Sequence, residues 1–230
     1  PGVMKGSSNN TKGVDFTMSY RKQRVTVGAN INLTETSGNN SPYGDFSAFS
    51  QANPYYRMTN DDGTYDQILD NFTAAGSTTV TNPLYNSNIG IKDLQRSLSI
   101  ASSLNFEYMI LDNLRLTESL QYTRGTARTE KFLPANHTSF ANETDKTLKG
   151  SYSKNTGEST SWSSNLGLNY NLPINKHLIS MLANWTVSED RNNYVNLSAT
   201  GYPDRHMDAF IFGNKMSTNP SGSESRSRSM

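Results

Sequence analysis

Apolar and polar residues alternate strictly along several short segments of this chain. Residues 14–20 alternate in this way, and so do residues 25–34. Since successive side chains of a strand point to opposite faces of a sheet, each run predicts a strand with one apolar and one polar face. The short polar segment between the two runs predicts a tight hairpin turn. The apolar column of the second run consists of Val25, Val27, Ala29, Ile31 and Leu33.

Two later segments repeat this arrangement. In 97–125, alternating runs flank Asp112-Asn113, a residue pair that is common at turns. In 159–189, the runs flank Pro173–Lys176. The pattern therefore predicts three antiparallel hairpins, at about 14–36, 97–125 and 159–189.

Long polar segments connect the hairpins. They are rich in Gly, Asn and Pro, and loops beyond about 12–15 residues are uncommon in compact domains. Tight turns that alternate with long loops are typical of an outer-membrane barrel, with periplasmic turns and extracellular loops. We therefore predict an all-β fold, an antiparallel transmembrane β-barrel segment in which 1–230 form one partial barrel domain without a plug domain. The predicted long extracellular loops are 37–96, 126–158 and 190–230.

The apolar columns favour a lipid-facing surface over a soluble core. Trp162 and Tyr170 share one face, about 19 Å apart at a tilt of ~45°, which suits aromatic girdles at the two borders of an apolar band. Glu118 is the single charge in its column. We assign the apolar column of 25–34 to lipid and its polar neighbours to the lumen: Thr26, Asn30 and Asn32. A secreted or surface β-sheet adhesin, which also alternates, is the alternative reading.

Composition agrees with a two-faced sheet. The chain is 33% hydrophobic with a net charge of +1, but it contains 12 Tyr and 9 Phe, more aromatic residues than a disordered chain usually has. No apolar run is long enough for a membrane-spanning helix. The absence of cysteine excludes disulfides and thiolate metal sites. Three hairpins cannot close a barrel, so the chain is expected to be part of a longer wall.

A family resemblance rests on several short blocks in order. The chain resembles the SusC/RagA family of TonB-dependent outer-membrane transporters in the residues around Phe46–Arg57, Asp61–Gly63, Asn82–Tyr85, His177–Ala183 and Gly201–Pro203. The resemblance implies a barrel of about 22 strands with an N-terminal plug, which imports glycan or peptide fragments. It also implies several partners: the remaining strands and plug of the same barrel, outer-membrane lipid, a SusD-like surface lipoprotein lid, and TonB, which would be contacted through an N-terminal part outside this chain.

Few residues are candidates for chemistry. Tyr55, Tyr56 and Arg57 form a candidate ligand-contact loop whose tyrosines could stack on a sugar, and a loop anchor at the barrel rim is the alternative. The three histidines are isolated, and no catalytic motif is present. The sequence therefore predicts no enzyme, no cofactor, no metal site and no nucleic-acid partner.

Overall fold

One large antiparallel sheet dominates the structure, a computed structural model that describes residues 4–50, 52–72, 78–216 and 219–229. The first pair is β1 (Ser8–Lys22) with β2 (Val25–Asn39). Two short strands, β3 (Ile68–Phe72) and β4 (Thr78–Thr81), form a separate hairpin. The remaining strands are β5 (Lys92–Leu111), β6 (Leu114–Leu133), β7 (Ser151–Ile174), β8 (His177–Thr200), β9 (Lys215–Met216) and β10 (Ser221–Ser229).

Neighbours in the chain are also neighbours in the sheet. The spatial order is β1-β2-β5-β6-β7-β8-β10, β9 pairs with β8, and the sheet does not close on itself. Each neighbouring pair is antiparallel. The predicted all-β, antiparallel fold class is confirmed.

Two-residue turns join the strands at one end of the sheet, at Gln23-Arg24, Asp112-Asn113 and Asn175-Lys176. Gln23 and Asn175 have positive φ angles of 49° and 52°, which two-residue hairpin turns use at their first central position. The long connections 40–91, 134–150 and 201–220 all emerge at the other end. The sheet therefore has a tight-turn end and a long-loop end.

The strands are longer than the alternating segments. β7 and β8 have 24 residues each, whereas about 9–11 cross a bilayer. Residues 37–39, 92–96, 126–133, 151–158 and 190–200 continue strands, and 221–229 form β10, although the sequence placed all of them in loops. Most side chains of these extensions are polar on both faces, so backbone pairing continues where the regular apolar alternation has stopped.

A small aromatic core closes the long-loop end. Phe132, Tyr152 and Ala199 are buried beneath Tyr202, and Phe210 packs against them. The rings of Phe132 and Tyr202 meet edge to face at 5.4 Å, and the Tyr202 hydroxyl donates to the Phe210 carbonyl at 3.2 Å. The chain that follows β8 is thereby held against the sheet.

Helices are a minor part of the described chain. They comprise α1 (Phe46–Ser50) and 3-10 turns at Tyr85–Asn88, Thr138–Phe140 and Phe210–Phe212. Among the described residues, none of these is long and apolar enough to cross a membrane.

Candidate functional site

One face of the large sheet, which we call the polar face, carries small polar side chains in register. A typical row runs across the strands through Thr17, Asn30, Ser103, Gln121 and Ser163. Many of these groups bond to each other within the face. Asn30 Nδ2 donates to Thr17 Oγ1 at 2.8 Å, and Ser119 Oγ donates to Asn105 Oδ1 at 2.8 Å. The result is a hydrophilic wall without long charged side chains along most of its length.

Glycines allow close packing on the polar face. A Cβ at Gly167 would lie 2.6 Å from Thr117 Oγ1, and one at Gly125 would lie 2.9 Å from Ser159 Oγ. A shallow cavity of about 410 Å³ lies at Gly125 and Gly157, and another lies nearer the tight turns, beside Thr117. Both cavities open on the polar face.

The opposite face, which we call the apolar face, carries the predicted hydrophobic columns. Ala29 lies beside Met18 and Leu104, and Tyr122 lies directly opposite Trp162. Nothing in the described chain covers these side chains: Trp162 is 40% exposed. Such a continuous exposed apolar surface marks contact with another apolar phase or partner.

Glu118 is a charge within the apolar face. It lies between Phe106 and Leu166, two rows on the tight-turn side of the Tyr122–Trp162 row. Ser164 Oγ donates a hydrogen bond to Glu118 Oε1 at 2.6 Å. This bond stabilises a carboxyl group that the surrounding apolar side chains cannot solvate.

The candidate ligand-contact loop divides into one exposed ring and two anchoring side chains. Tyr55 is 94% exposed. The Tyr56 hydroxyl donates to Asp70 Oδ2 at 3.1 Å, and partial burial together with Asp70 raises the pKa of that phenol. Arg57 pairs with Asp61, and its Nε donates to the Thr59 carbonyl at 3.0 Å. Only Tyr55 therefore offers a free ring for stacking.

Hydrogen bonds hold the first long connection to the second. Asn86 and Thr138 exchange two bonds, of 2.7 and 3.1 Å, and Gln67 Nε2 donates to the Asn136 carbonyl at 3.0 Å. Asn82 is fully buried: its Nδ2 donates to the Met58 carbonyl at 2.7 Å and its Oδ1 accepts from the Leu84 amide at 3.0 Å. These bonds give the Asn-Pro-Leu-Tyr block a structural role that the sequence alone did not reveal.

His137 lies within the same loop cluster. Its Nδ1 accepts a hydrogen bond from the Ser139 amide at 3.1 Å, and burial, assisted by Lys131, lowers its pKa to about 4. The histidine is therefore neutral at physiological pH and acts as a turn cap. Within the described residues, no three His, Cys, Asp or Glu side chains are grouped as a metal site would require.

Two unlike faces on an antiparallel sheet, with tight turns at one end and long loops at the other, define the class: the chain has the fold of part of a β-barrel wall. Three solved structures that share this fold are of a peptide transporter, RagAB. One RagAB structure matches with a TM-score of 0.72 at 14% identity, covering 96% of this chain and 25% of that chain. The "closed-closed" state of the RagAB peptide importer matches with a TM-score of 0.73 at 15% identity, again covering 96% of this chain and 25% of that chain.

The "open-open" state of the RagAB peptide importer matches with a TM-score of 0.69 at 14% identity, over 95% of this chain and 24% of that chain. The chain thus spans about a quarter of the length of the chains it matches. No family model matches it, and no curated protein matches it. At this identity the likeness shows the fold alone.

Proposed function

We propose that this chain is a wall segment of an outer-membrane, TonB-dependent importer of the SusC/RagA type, without enzymatic activity, that carries glycan or peptide fragments. The observation that carries the proposal is the two-faced sheet, which matches a barrel transporter over 96% of this chain. The apolar face would contact outer-membrane lipid, and the polar face would line the lumen. The tight-turn end would then be periplasmic and the long-loop end extracellular.

The sheet edges and the polar face support partners within the same barrel. β1 and β10 are edge strands, and an unpaired edge tends to pair with further strands. Leu178 and Leu182 lie near the tight turns on the polar face and are 66% and 65% exposed. Two exposed leucines on a mostly hydrophilic wall suit contact with a plug domain. A SusD-like lipoprotein lid would cover the long-loop end, and TonB would act from the periplasmic side through a segment outside this chain.

Among the three candidate loop residues, we propose that Tyr55 contacts cargo while Tyr56 and Arg57 hold the loop. A free ring at the long-loop end can stack on a sugar or on an aromatic side chain of a peptide. Tyr55→Ala should weaken cargo binding about two- to tenfold, because an aromatic pair contributes ~0.5–1.5 kcal/mol. Tyr55→Phe, which keeps the ring, should retain binding.

The function is tested by uptake in cells that produce the full-length parent protein. Fluorescent oligopeptides and oligosaccharides are supplied separately, with and without TonB and the lipoprotein lid. Accumulation of one cargo class that requires TonB supports import. Equal surface binding in all strains, without uptake, would instead support the adhesin reading.

A further inference from the structure

On β5 and β6, the apolar face becomes charged immediately above the Tyr122–Trp162 row, on its long-loop side. Arg96, Arg124 and Arg128 lie on this face, and all three are exposed. Arg96 lies directly opposite Arg128 in the register, and Arg124 lies four residues before Arg128 on the same strand. We call these three residues the arginine patch.

The arginine patch lacks carboxylate partners among the described residues. None of its members forms an ion pair, whereas arginines farther along the same face do. Arg226 and Arg228 both bond to Glu189 at 2.6 Å, and Arg191 bonds to a neighbouring glutamate at 2.6 Å. The arginines near β10 are thus each paired with a carboxylate within the sheet, and those of the arginine patch are not.

Three acidic residues lie on the same face near the patch. Glu35 is opposite Leu98, Glu158 is opposite Thr126, and Glu130 is opposite Leu94. Glu130 is paired with Lys92 at 2.6 Å, and among the described residues none of the three forms an ion pair with a patch arginine. Like charges placed directly opposite one another destabilise a sheet, so the Arg96–Arg128 pair is unfavourable unless an anion lies between the two side chains.

The height of the patch indicates the kind of anion. At a tilt of ~45°, Arg124 stands about 5 Å and Arg128 about 14 Å above Tyr122 along the barrel axis. If the apolar face spans the hydrocarbon, these positions are at the level of the outer-leaflet headgroups. Ile100 lies directly opposite Arg124, so apolar surface for acyl chains adjoins the patch.

We propose that the arginine patch binds the phosphate groups of a phosphorylated glycolipid in the outer leaflet. Guanidinium groups bind phosphate oxygens through paired, charge-assisted hydrogen bonds, and clustered basic residues next to a membrane-embedded surface recognise lipid headgroups. The inference rests on the membrane orientation in the proposed function. It adds a lipid site on the outside of the barrel, apart from the path of the cargo.

The test uses the purified full-length parent barrel in detergent, with lipid A as the probe. Native mass spectrometry measures bound diphosphorylated lipid A against chemically dephosphorylated lipid A. The parent should prefer the phosphorylated form by about tenfold, and R96Q/R124Q/R128Q should lose that preference. Replacing all three by Lys should restore part of it. The control removes the same number of charges from the polar face: Arg21→Gln, Arg115→Gln and Lys131→Gln.

Four outcomes would overturn the proposal. The first two are that the parent shows no preference for the phosphorylated form, and that the control variant loses the preference as much as the patch variant does. The third is that inorganic phosphate displaces lipid A, which would indicate a site for a soluble anion. The fourth is that the patch variant changes the oligomeric mass of the barrel while its lipid preference persists, which would place a second copy of the chain on the arginines.

Folded barrel in outer membranes and cargo uptake are measured on the same variants. A barrel that imports cargo but shows no lipid preference contradicts the lipid site alone. A parent protein that never reaches the outer membrane contradicts the proposed function as well.

Discussion

Arginine substitutions along β2 test which face of the sheet meets lipid. Ala29 lies on the apolar face between Met18 and Leu104, whereas Asn30 lies on the polar face and donates to Thr17. In the proposed membrane orientation, Ala29→Arg places a charge in hydrocarbon, and Asn30→Arg places the same charge in water. We therefore expect the first variant to impair barrel assembly and the second to be tolerated.

The position of Ala29 between the Tyr122–Trp162 row and the Tyr170 row sets the expected free-energy cost of Ala29→Arg. Its row lies about 5 Å below the Tyr122–Trp162 row and about 14 Å above the Tyr170 row, at ~3.3 Å per residue and a tilt of ~45°. An arginine costs ~2–4 kcal/mol at the midplane and ~0–1 near the interfaces, so Ala29→Arg should cost about 1–3 kcal/mol. Val27 is one row nearer the midplane, and Val27→Arg should cost more. Asn30→Arg loses one exposed hydrogen bond, worth about 0.5 kcal/mol.

The assay is made on the full-length parent protein. Outer membranes are isolated, the heat-resistant folded barrel is quantified on gels, and unfolding in denaturant gives the free-energy differences. The expected order of damage is Val27→Arg, then Ala29→Arg, then Asn30→Arg. Equal losses in all three variants would refute the facing assignment. Greatest damage from Asn30→Arg would mean that the apolar face is a packed interior.

The other predictions concern a second hairpin, the isolated chain and the loop cluster. Leu168→Arg should reduce folded barrel strongly and Asn169→Arg only slightly, by the same gel assay, because these neighbours face opposite sides of β7. The isolated chain, expressed without detergent, should aggregate on size-exclusion chromatography, since its apolar face has no cover; a sharp monomeric peak with cooperative unfolding would favour a soluble sheet. Asn82→Ala should destabilise the long-loop cluster by about 1–3 kcal/mol, because the Met58 carbonyl and the Leu84 amide lose their hydrogen-bond partner. Hydrogen exchange of the amides in that cluster measures the change. The cluster should also loosen as the pH falls from 6.5 towards 4, because folding lowers the pKa of His137 to about 4 and the unfolded chain therefore binds a proton that the folded cluster does not. His137→Gln should flatten this pH dependence of hydrogen exchange. An unchanged pH profile in the variant would contradict the assignment.

The alternating pattern was sufficient to assign residues to the two faces of the sheet. In 25–34, a shift of one residue would move every apolar side chain to the other face, so the pattern fixes the orientation of the strand. Short polar segments between runs likewise indicated hairpins, because antiparallel neighbours need only two residues to connect them. The fold class therefore followed from local order along the chain.

The strand ends and the side-chain partners depended on tertiary structure. From residue 126 to residue 131, β6 is almost entirely polar on both faces, so no alternation marks its continuation. Only pairing with β5 and β7 shows that the strand extends to Leu133. Tyr55 and Tyr56 are adjacent and chemically identical, yet only the contact of Tyr56 with Asp70 distinguishes the anchor from the exposed ring. Arg96 and Arg128 are far apart in the sequence and become opposite neighbours through the register of β5 and β6. The side-chain period is a local property that the sequence carries, whereas register and loop contacts join distant residues and exist only in the folded sheet.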